Sequence, residues 1–122
     1  MLNHLTINVA NLAASKTFYT TALAPLGLTC LFTADGYCGL GVDRPIFWLS
    51  QADATHPQST NLHLAFTAES AAAVTAFHAA ALQAGGTDNG VPGLRSEYHA
   101  TYFAGFIIDP NGHNLEAVFG NG

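Results

Sequence analysis

Residues 4–9 read His-Leu-Thr-Ile-Asn-Val, and residues 63–68, which lie 59 positions later (63 − 4), read His-Leu-Ala-Phe-Thr-Ala. The same shift superposes three further pairs without a gap: Phe18 and Phe77, Leu23 and Leu82, Gly27 and Gly86. Repetition at a fixed period indicates copies of one structural unit. The sequence therefore predicts two modules that each begin with a histidine on a short strand. Folding them face to face would bring His4 and His63 near one another.

The composition is that of a compact domain with little charge. Of the 122 residues, 49% are hydrophobic and 9% are charged, and the formal net charge is −5. Each module of about 60 residues would be only marginally stable alone, so the two are expected to share one core. We therefore expect a single domain over residues 1–122. Module one covers about 1–51, a connection covers 52–61, and module two covers about 62–120.

Several partners and locations are disfavoured by the sequence. Three cationic side chains stand against eight carboxylates, so no basic surface for nucleic acid is expected. No apolar run approaches the roughly 18 residues of a membrane span. The chain starts with a strand pattern rather than a basic and apolar signal segment, which favours the cytoplasm. A small-molecule ligand is the expected partner.

The periodicity of apolar residues predicts a βαβββ order in each module. In module one, Asn11 is the expected N-cap of a helix that runs to about Leu23. In module two, Gly, Asn and Pro at 87–93 indicate a loop. The remaining predictions are strands at 4–9, 28–33, 37–42, 45–50, 62–67, 94–98, 101–108 and 113–119, and a second helix at 69–84. The fold class is thus α+β, with two paired βαβββ modules forming a curled mixed sheet around a cleft.

Three polar residues occupy the strand face opposite the predicted helices. His4 and His63 each begin a strand, and Glu116 alternates with apolar Leu115 and Ala117 in the last strand. A carboxylate in this position is costly to desolvate unless a positive group meets it. Two imidazoles and one carboxylate leave coordination positions free on iron(II), manganese(II), zinc or a related ion. These three residues are therefore the predicted metal ligands.

Longer motifs resemble those of the vicinal oxygen chelate superfamily. This superfamily contains glyoxalase I, fosfomycin and bleomycin resistance proteins, methylmalonyl-CoA epimerase and extradiol dioxygenases. The most specific motif is the turn Asp109-Pro110-Asn111-Gly112 before a strand that carries a glutamate. The resemblance covers nearly the whole chain and is carried by residues 4–9, 18–19, 23–27, 62–66 and 106–116.

The resemblance implies a cofactor, an assembly and a reaction class. The family's ligand positions fall on His4, His63 and Glu116, which would hold one divalent ion of iron, manganese, zinc or nickel. The protein would be a homodimer, and its site could lie within one chain or across two. Trp48 occupies the position where glyoxalase I enzymes carry a second carboxylate. This departure disfavours genuine glyoxalase I chemistry.

A second polar cluster precedes the final hairpin. The segment 92–103 contains Arg95, Tyr98, His99 and Tyr102, and similar clusters occur in other members of the superfamily. His99 is the predicted acid/base group, alongside Glu116 as a catalytic carboxylate. The predicted substrate-binding residues are Trp48, Arg95, Tyr98 and Tyr102.

Two functions follow from these patterns. The first is a metal-dependent enzyme, either a glyoxalase-like lyase or isomerase or an extradiol-type dioxygenase, that chelates a substrate through vicinal oxygens. The alternative is a metal-free binding or resistance protein of the bleomycin-sequestering type, with an aromatic pocket formed by Trp48, Tyr98, Tyr102 and Phe103. Outside the site, Asp109 is expected to stabilise its turn, and His78 to be solvated on the flank of a helix.

Overall fold

A computed structural model describes residues 1–120 and contains two four-stranded mixed sheets, neither of which closes. In each sheet the first strand pairs in parallel with the last, and the remaining pairs are antiparallel. The order β1-β4-β3-β2 is repeated as β5-β8-β7-β6. The predicted α+β class and βαβββ order are confirmed. The strands are β1 (Leu5–Val9), β2 (Thr29–Ala34), β3 (Tyr37–Gly41), β4 (Pro45–Gln51), β5 (His63–Thr67), β6 (Thr87–Leu94), β7 (Phe103–Ile108) and β8 (Asn114–Phe119).

Two helices connect the first and second strands of the modules. Helix α1 (Leu12–Leu23) begins after Asn11, whose side chain accepts a hydrogen bond from the backbone N–H of Ala14. Helix α2 (Ala71–Gln83) begins after Ser70, which caps the N–H of Ala73 in the same way. Both caps satisfy backbone donors that a helix start leaves without partners. Within residues 1–120, neither helix is long and apolar enough to cross a membrane.

One hydrophobic core runs through both modules. Each helix covers one face of its own sheet, and the two helices pack against each other. Phe47 and Phe66 meet edge to face across the modules, with ring centroids 5.6 Å apart. The opposite face of each sheet, here called the open face, is left for polar and aromatic side chains. His4, His63 and Glu116 belong to these open faces, as their strand phase predicts.

Strand β6 differs from the prediction. It occupies 87–94, where a loop was expected, and the predicted strand at 94–98 is mostly a turn. The register of β6 shifts on both sides of Gly90, whose φ is +152°. Because β6 is an edge strand, it tolerates the glycines and Pro92 that weaken an interior strand. The composition was therefore typical of a loop although the backbone pairs with β7.

His78 also differs from the prediction, because it is buried rather than solvated. Its Nε2 lies 2.8 Å from Oδ1 of Asp88 on β6. The pKa of Asp88 is held below its usual value chiefly by the backbone N–H of Gly90, with a smaller contribution from His78. The repeat-equivalent residue in α1 is Tyr19, whose hydroxyl donates to buried Asp109 of the other module. Burial is the main cause that raises the pKa of Tyr19, so it keeps its proton.

Candidate functional site

The strand register places Glu116 at the centre of the open face of module two. It lies opposite Phe106 on β7 and beside Ala65 on β5, and Phe106 lies opposite Gly90 on β6. In module one the corresponding row is Thr6, Trp48, Gly39 and Phe32. Trp48 therefore stands at the position of Glu116 in the repeat, as the sequence indicated.

Both oxygens of the Glu116 carboxylate have partners. Nε2 of His63 lies 3.0 Å from Oε1, and the hydroxyl of Tyr102 donates to Oε2. Glu116 is only 3% exposed, whereas the side chain of His63 is 52% exposed. A buried carboxylate needs such partners to offset the cost of its desolvation. Three predicted site residues thus form one connected group in which the histidine faces solvent.

Tyr102 acts as a proton donor in this group. Its hydrogen bond to Glu116, with smaller contributions from burial and from nearby negative charge, raises its pKa to about 12. The phenol is therefore protonated at neutral pH and holds the carboxylate in place. Its ring also packs edge to face on Tyr98, with centroids 5.2 Å apart.

His4 lies just before β1 and is held by its neighbour. Its Nδ1 lies 2.8 Å from the side-chain oxygen of Asn3. Because that oxygen is an acceptor, Nδ1 carries the proton and Nε2 presents its lone pair. His4 and His63 both line a cavity of about 400 Å³ between the modules, here called the seam cavity.

The three predicted ligands are only partly assembled in one chain. His63 and Glu116 are in contact, but no group of three His, Cys, Asp or Glu side chains able to hold a metal ion occurs within residues 1–120. The separation of the two contacting atoms nevertheless suits a common ion. Donors that lie about 2.1 Å from one ion, at angles of about 90–110°, are about 3.0–3.4 Å apart. One chain therefore offers two donors that fit a metal ion.

The open face of module one carries an aromatic cluster that the sequence analysis did not predict beyond Trp48. Trp48 lies over Gly39, where a Cβ atom would be only 2.7 Å from the indole ring. Its ring centroid is 5.7 Å from that of Phe32 and 6.0 Å from that of Tyr37. We call Phe32, Tyr37 and Trp48 the aromatic cluster. Gly39 lies between Phe32 on β2 and Trp48 on β4, and this glycine is the sequence signal that could have indicated the cluster.

A second cavity, of about 380 Å³, borders this cluster. Tyr37 and Trp48 line it together with His4, Thr6 and Ser50. Asn3 and His4 line both this cavity and the seam cavity, so the two spaces meet at the start of β1.

The remaining predicted residues of the second cluster lie around the turn after β6. Arg95 donates hydrogen bonds to the carbonyls of Gly93 and Val91, and its guanidinium lies 5.4 Å from the ring centroid of Phe106. Arg95 and Tyr98 line a cavity of about 330 Å³. Nδ1 of His99 accepts a hydrogen bond from the backbone N–H of Thr101. Within the described chain, His99 makes no hydrogen bond to His63 or Glu116.

Asp109 stabilises its turn, as predicted. Its Oδ1 accepts hydrogen bonds from the backbone N–H groups of Asn111 and His113, at 2.9 and 2.8 Å. Its other oxygen is bound by Tyr19 of module one, a contact that the sequence analysis did not predict. The turn that leads into β8, and so into Glu116, is therefore fixed from both modules.

Solved structures resemble the whole chain. A glyoxalase/bleomycin resistance protein from Albidiferax ferrireducens T118 has 26% sequence identity and a TM-score of 0.82, with 95% of each chain covered. A glyoxalase/bleomycin resistance protein/dioxygenase family enzyme from Burkholderia phytofirmans PsJN has 17% identity and a TM-score of 0.75, with 96% of each chain covered. A putative glyoxalase from Bacillus halodurans has 23% identity and a TM-score of 0.70, with coverage of 97% of this chain and 94% of that one. No curated protein matches the chain significantly.

A family model also matches almost the whole chain. The sequence profile described as Glyoxalase/Bleomycin resistance protein/Dioxygenase superfamily matches residues 1–117, which is nearly the full length. The chain therefore belongs to the glyoxalase/bleomycin resistance protein/dioxygenase superfamily.

Proposed function

We propose that this protein is a metal-dependent enzyme that acts on a small ligand bound through vicinal oxygens. The observation that carries the proposal is the contact between His63 and Glu116, whose donor atoms lie 3.0 Å apart on the open face of module two. His4, with Nε2 available, is the third ligand. A divalent ion bound there supplies Lewis acidity toward a carbonyl, enolate or catecholate oxygen, and iron(II) adds the option of dioxygen chemistry.

The third ligand comes from a second copy of the chain. His4 does not join His63 and Glu116 in a three-residue group within residues 1–120 of one chain. The open faces expose large apolar side chains, including Phe32 at 46% and Tyr37 at 43% of their surface. Exposed apolar surface of this kind is typical of association sites. A homodimer in which His4 of one copy meets His63 and Glu116 of the other would complete the site.

The chain's own residues have separate tasks in this proposal. Tyr102 orients Glu116 and keeps its proton because its pKa is raised to about 12. Glu116 is buried and doubly hydrogen-bonded, so it is preorganised as a ligand. His99 is the proposed proton-transfer group. Arg95 and Tyr98 line the adjacent cavity as substrate-binding residues, and Trp48 provides an apolar wall.

Metal content tests the proposal directly. Protein purified without chelator and then loaded with iron(II), manganese(II), zinc or nickel is expected to retain about one ion per chain. Glu116→Gln and His4→Ala should each weaken binding by about tenfold or more. The matched control is His56→Ala, because His56 is an exposed histidine in the connection, bonded only to nearby Asp53. Metal binding equal in all four proteins would contradict the ligand assignment.

Mixed dimers test whether two chains share the site. In a dimer of one His4→Ala chain and one Glu116→Gln chain, one site loses both ligands and the other keeps the full set. Purified mixed dimers should therefore regain about half of the wild-type metal content, whereas each variant alone should bind metal at least about tenfold more weakly than wild type. Recovery of no metal in verified mixed dimers would show that each site lies within one chain.

Two assays separate the proposed reactions. Oxygen consumption with catechols in the presence of iron(II) indicates a dioxygenase, whereas hemithioacetal turnover with nickel or zinc indicates a glyoxalase-like lyase. Trp48 replaces the second carboxylate of glyoxalase I, so we expect hemithioacetal turnover to be weak. Robust turnover would contradict that expectation.

A metal-free binding protein is the second candidate. The aromatic cluster favours it, because Trp48 and Tyr37 line a cavity of about 380 Å³ and offer ring faces for stacking. Glu116 also has protein partners for both of its oxygens. If wild-type protein retains little metal after loading, and Trp48→Ala weakens binding of a planar ligand such as bleomycin, this candidate replaces the enzyme.

A further inference from the structure

The seam cavity combines an apolar wall with a single cationic side chain. Its apolar lining comes from both modules, with Leu5 and Phe47 on one side and Leu64 and Phe66 on the other. Arg44, His4 and His63 are the basic side chains that line it. A volume of about 400 Å³ lies within the ordinary range for small-molecule sites. The shape and polarity therefore suit a small ligand with one charged end.

Arg44 retains hydrogen-bonding capacity for such a ligand. Its Nη1 is held by the backbone oxygen of Asn3 at 3.1 Å and lies 3.4 Å from the Asn3 side-chain oxygen. Throughout residues 1–120, its Nη2 and Nε have no protein acceptor, and no carboxylate lies within ion-pair distance of it. Nη2 and Nε form the side of the guanidinium fork that matches the two oxygens of a carboxylate.

The other two cationic side chains do not line the seam cavity. Lys16 lies on α1 and donates a hydrogen bond to the hydroxyl of Thr33. Arg95 is bound to two backbone carbonyls and lies over Phe106. Within residues 1–120, Arg44 is therefore the one Lys or Arg side chain that lines the seam cavity. A single guanidinium in a protein of net charge −5 suits a singly charged anion better than a dianion such as phosphate.

We propose that Arg44 binds the carboxylate of a small monocarboxylic ligand whose apolar body occupies the seam cavity. The inference goes beyond the proposed function, because Glu116 does not line the seam cavity and the apolar lining of that cavity packs against the hydrophobic core. Asn3 has two tasks in this arrangement, since its side-chain oxygen holds His4 and its backbone oxygen holds Arg44. The carboxylate end of the ligand is thereby fixed relative to the histidine.

Binding of a matched pair of probes tests the inference. Calorimetric titration compares 3-phenylpropionate with its neutral amide, 3-phenylpropionamide, in the presence of excess EDTA. Wild-type protein should bind the acid about tenfold more tightly than the amide, because a charge-assisted bidentate contact is lost with the amide. Arg44→Gln should remove this preference and leave the affinity for the amide unchanged. Arg44→Lys keeps the charge without the fork and should retain part of the preference.

Lys16→Gln is the matched control, because it changes the net charge by the same amount away from the cavity. It should keep the preference for the acid. Equal binding of acid and amide by wild type, no binding of either probe, or equal losses in Arg44→Gln and Lys16→Gln would each overturn the inference. Because EDTA removes metal from every sample, failure of the proposed metal site leaves these results unchanged. If wild-type protein binds metal as proposed but shows no preference for the acid over the amide, this inference is wrong and the proposed function stands.

Discussion

The two modules share a strand register but differ in chemistry along the same row of their open faces. Module one carries Trp48 where module two carries Glu116, and Gly39 where module two carries Phe106. The first face is therefore suited to apolar contact and the second to hydrogen bonding, and it is on the second face that we propose metal coordination. The comparison teaches that the repeated backbone fixes where a side chain points, whereas the residue at each position sets the chemistry.

The helices show the same pattern at their repeat-equivalent positions. Tyr19 in α1 and His78 in α2 each bind one carboxylate. Tyr19 reaches Asp109 of the other module, which is 3% exposed, whereas His78 binds Asp88 of its own module, whose side chain is 50% exposed. The energetic importance of the two contacts should differ accordingly, because water can replace a partner only at an exposed group.

The largest effect is predicted for removal of the hydrogen bond between Tyr19 and Asp109, which joins the two modules. Tyr19→Phe should lower the free energy of unfolding by about 2–3 kcal/mol, because a buried carboxylate oxygen loses its donor. His78→Leu should cost less, since water can solvate Asp88. Urea denaturation followed by circular dichroism at neutral pH measures both variants. An equal or larger loss for His78→Leu would contradict the difference between the two contacts.

The next prediction concerns the open face of module one. Gly39→Ala should lower the free energy of unfolding by about 1–2 kcal/mol, because the new Cβ would lie 2.7 Å from Trp48 and 2.8 Å from Pro45. Gly93→Ala is the control in module two, where the added Cβ would meet only the end of Arg95 at 3.3 Å. The same denaturation experiment applies. Similar stability of the two variants would show that Trp48 can leave its position over the strand without cost.

The smallest predicted effect is a titration on the open face of module two. Tyr102 should ionise at a pKa of about 12, and Glu116→Gln should bring this value down toward the ordinary value of about 10. Since the folded-state pKa is raised, the stabilisation is complete below about pH 10 and is lost as pH rises from about 10 to 12. Ultraviolet titration of tyrosine ionisation, with Tyr102→Phe as the reference, measures the shift. An unchanged titration in Glu116→Gln would remove Tyr102 from the role of positioning the carboxylate.

Much of the architecture could be predicted because strand alternation has a fixed period. His63 and Glu116 share a face for that reason. The repeat also predicted that Trp48 in module one occupies the position equivalent to Glu116 in module two. Strand β6 could not be predicted from its composition, since its glycines and Pro92 are accommodated by register shifts at a sheet edge. Phe32 was not predicted as part of a site because the register also shifts between Cys30 and Phe32, which alters simple alternation along β2.

The polar contacts were harder to predict than the strands. The hydrogen bonds that Asn3 accepts from His4 and Arg44 depend on the path of the chain before β1, for which no periodicity exists. The bond from Tyr19 to Asp109 joins residues 90 positions apart. Long side chains that meet through tertiary packing carry no local sequence signal, so such contacts require the folded structure.

The hydrogen bond between Tyr19 and Asp109 limits which modules of related proteins can be combined in one hybrid chain. A hybrid that takes its first half from one relative and its second half from another inherits one member of the pair from each parent. If the first parent lacks the tyrosine, the buried carboxylate of Asp109 loses its donor. If the second parent lacks the aspartate, the hydroxyl of Tyr19 loses its acceptor. The two modules repeat one strand order, but this contact makes them dependent on each other, so a functional hybrid must carry both residues of the pair.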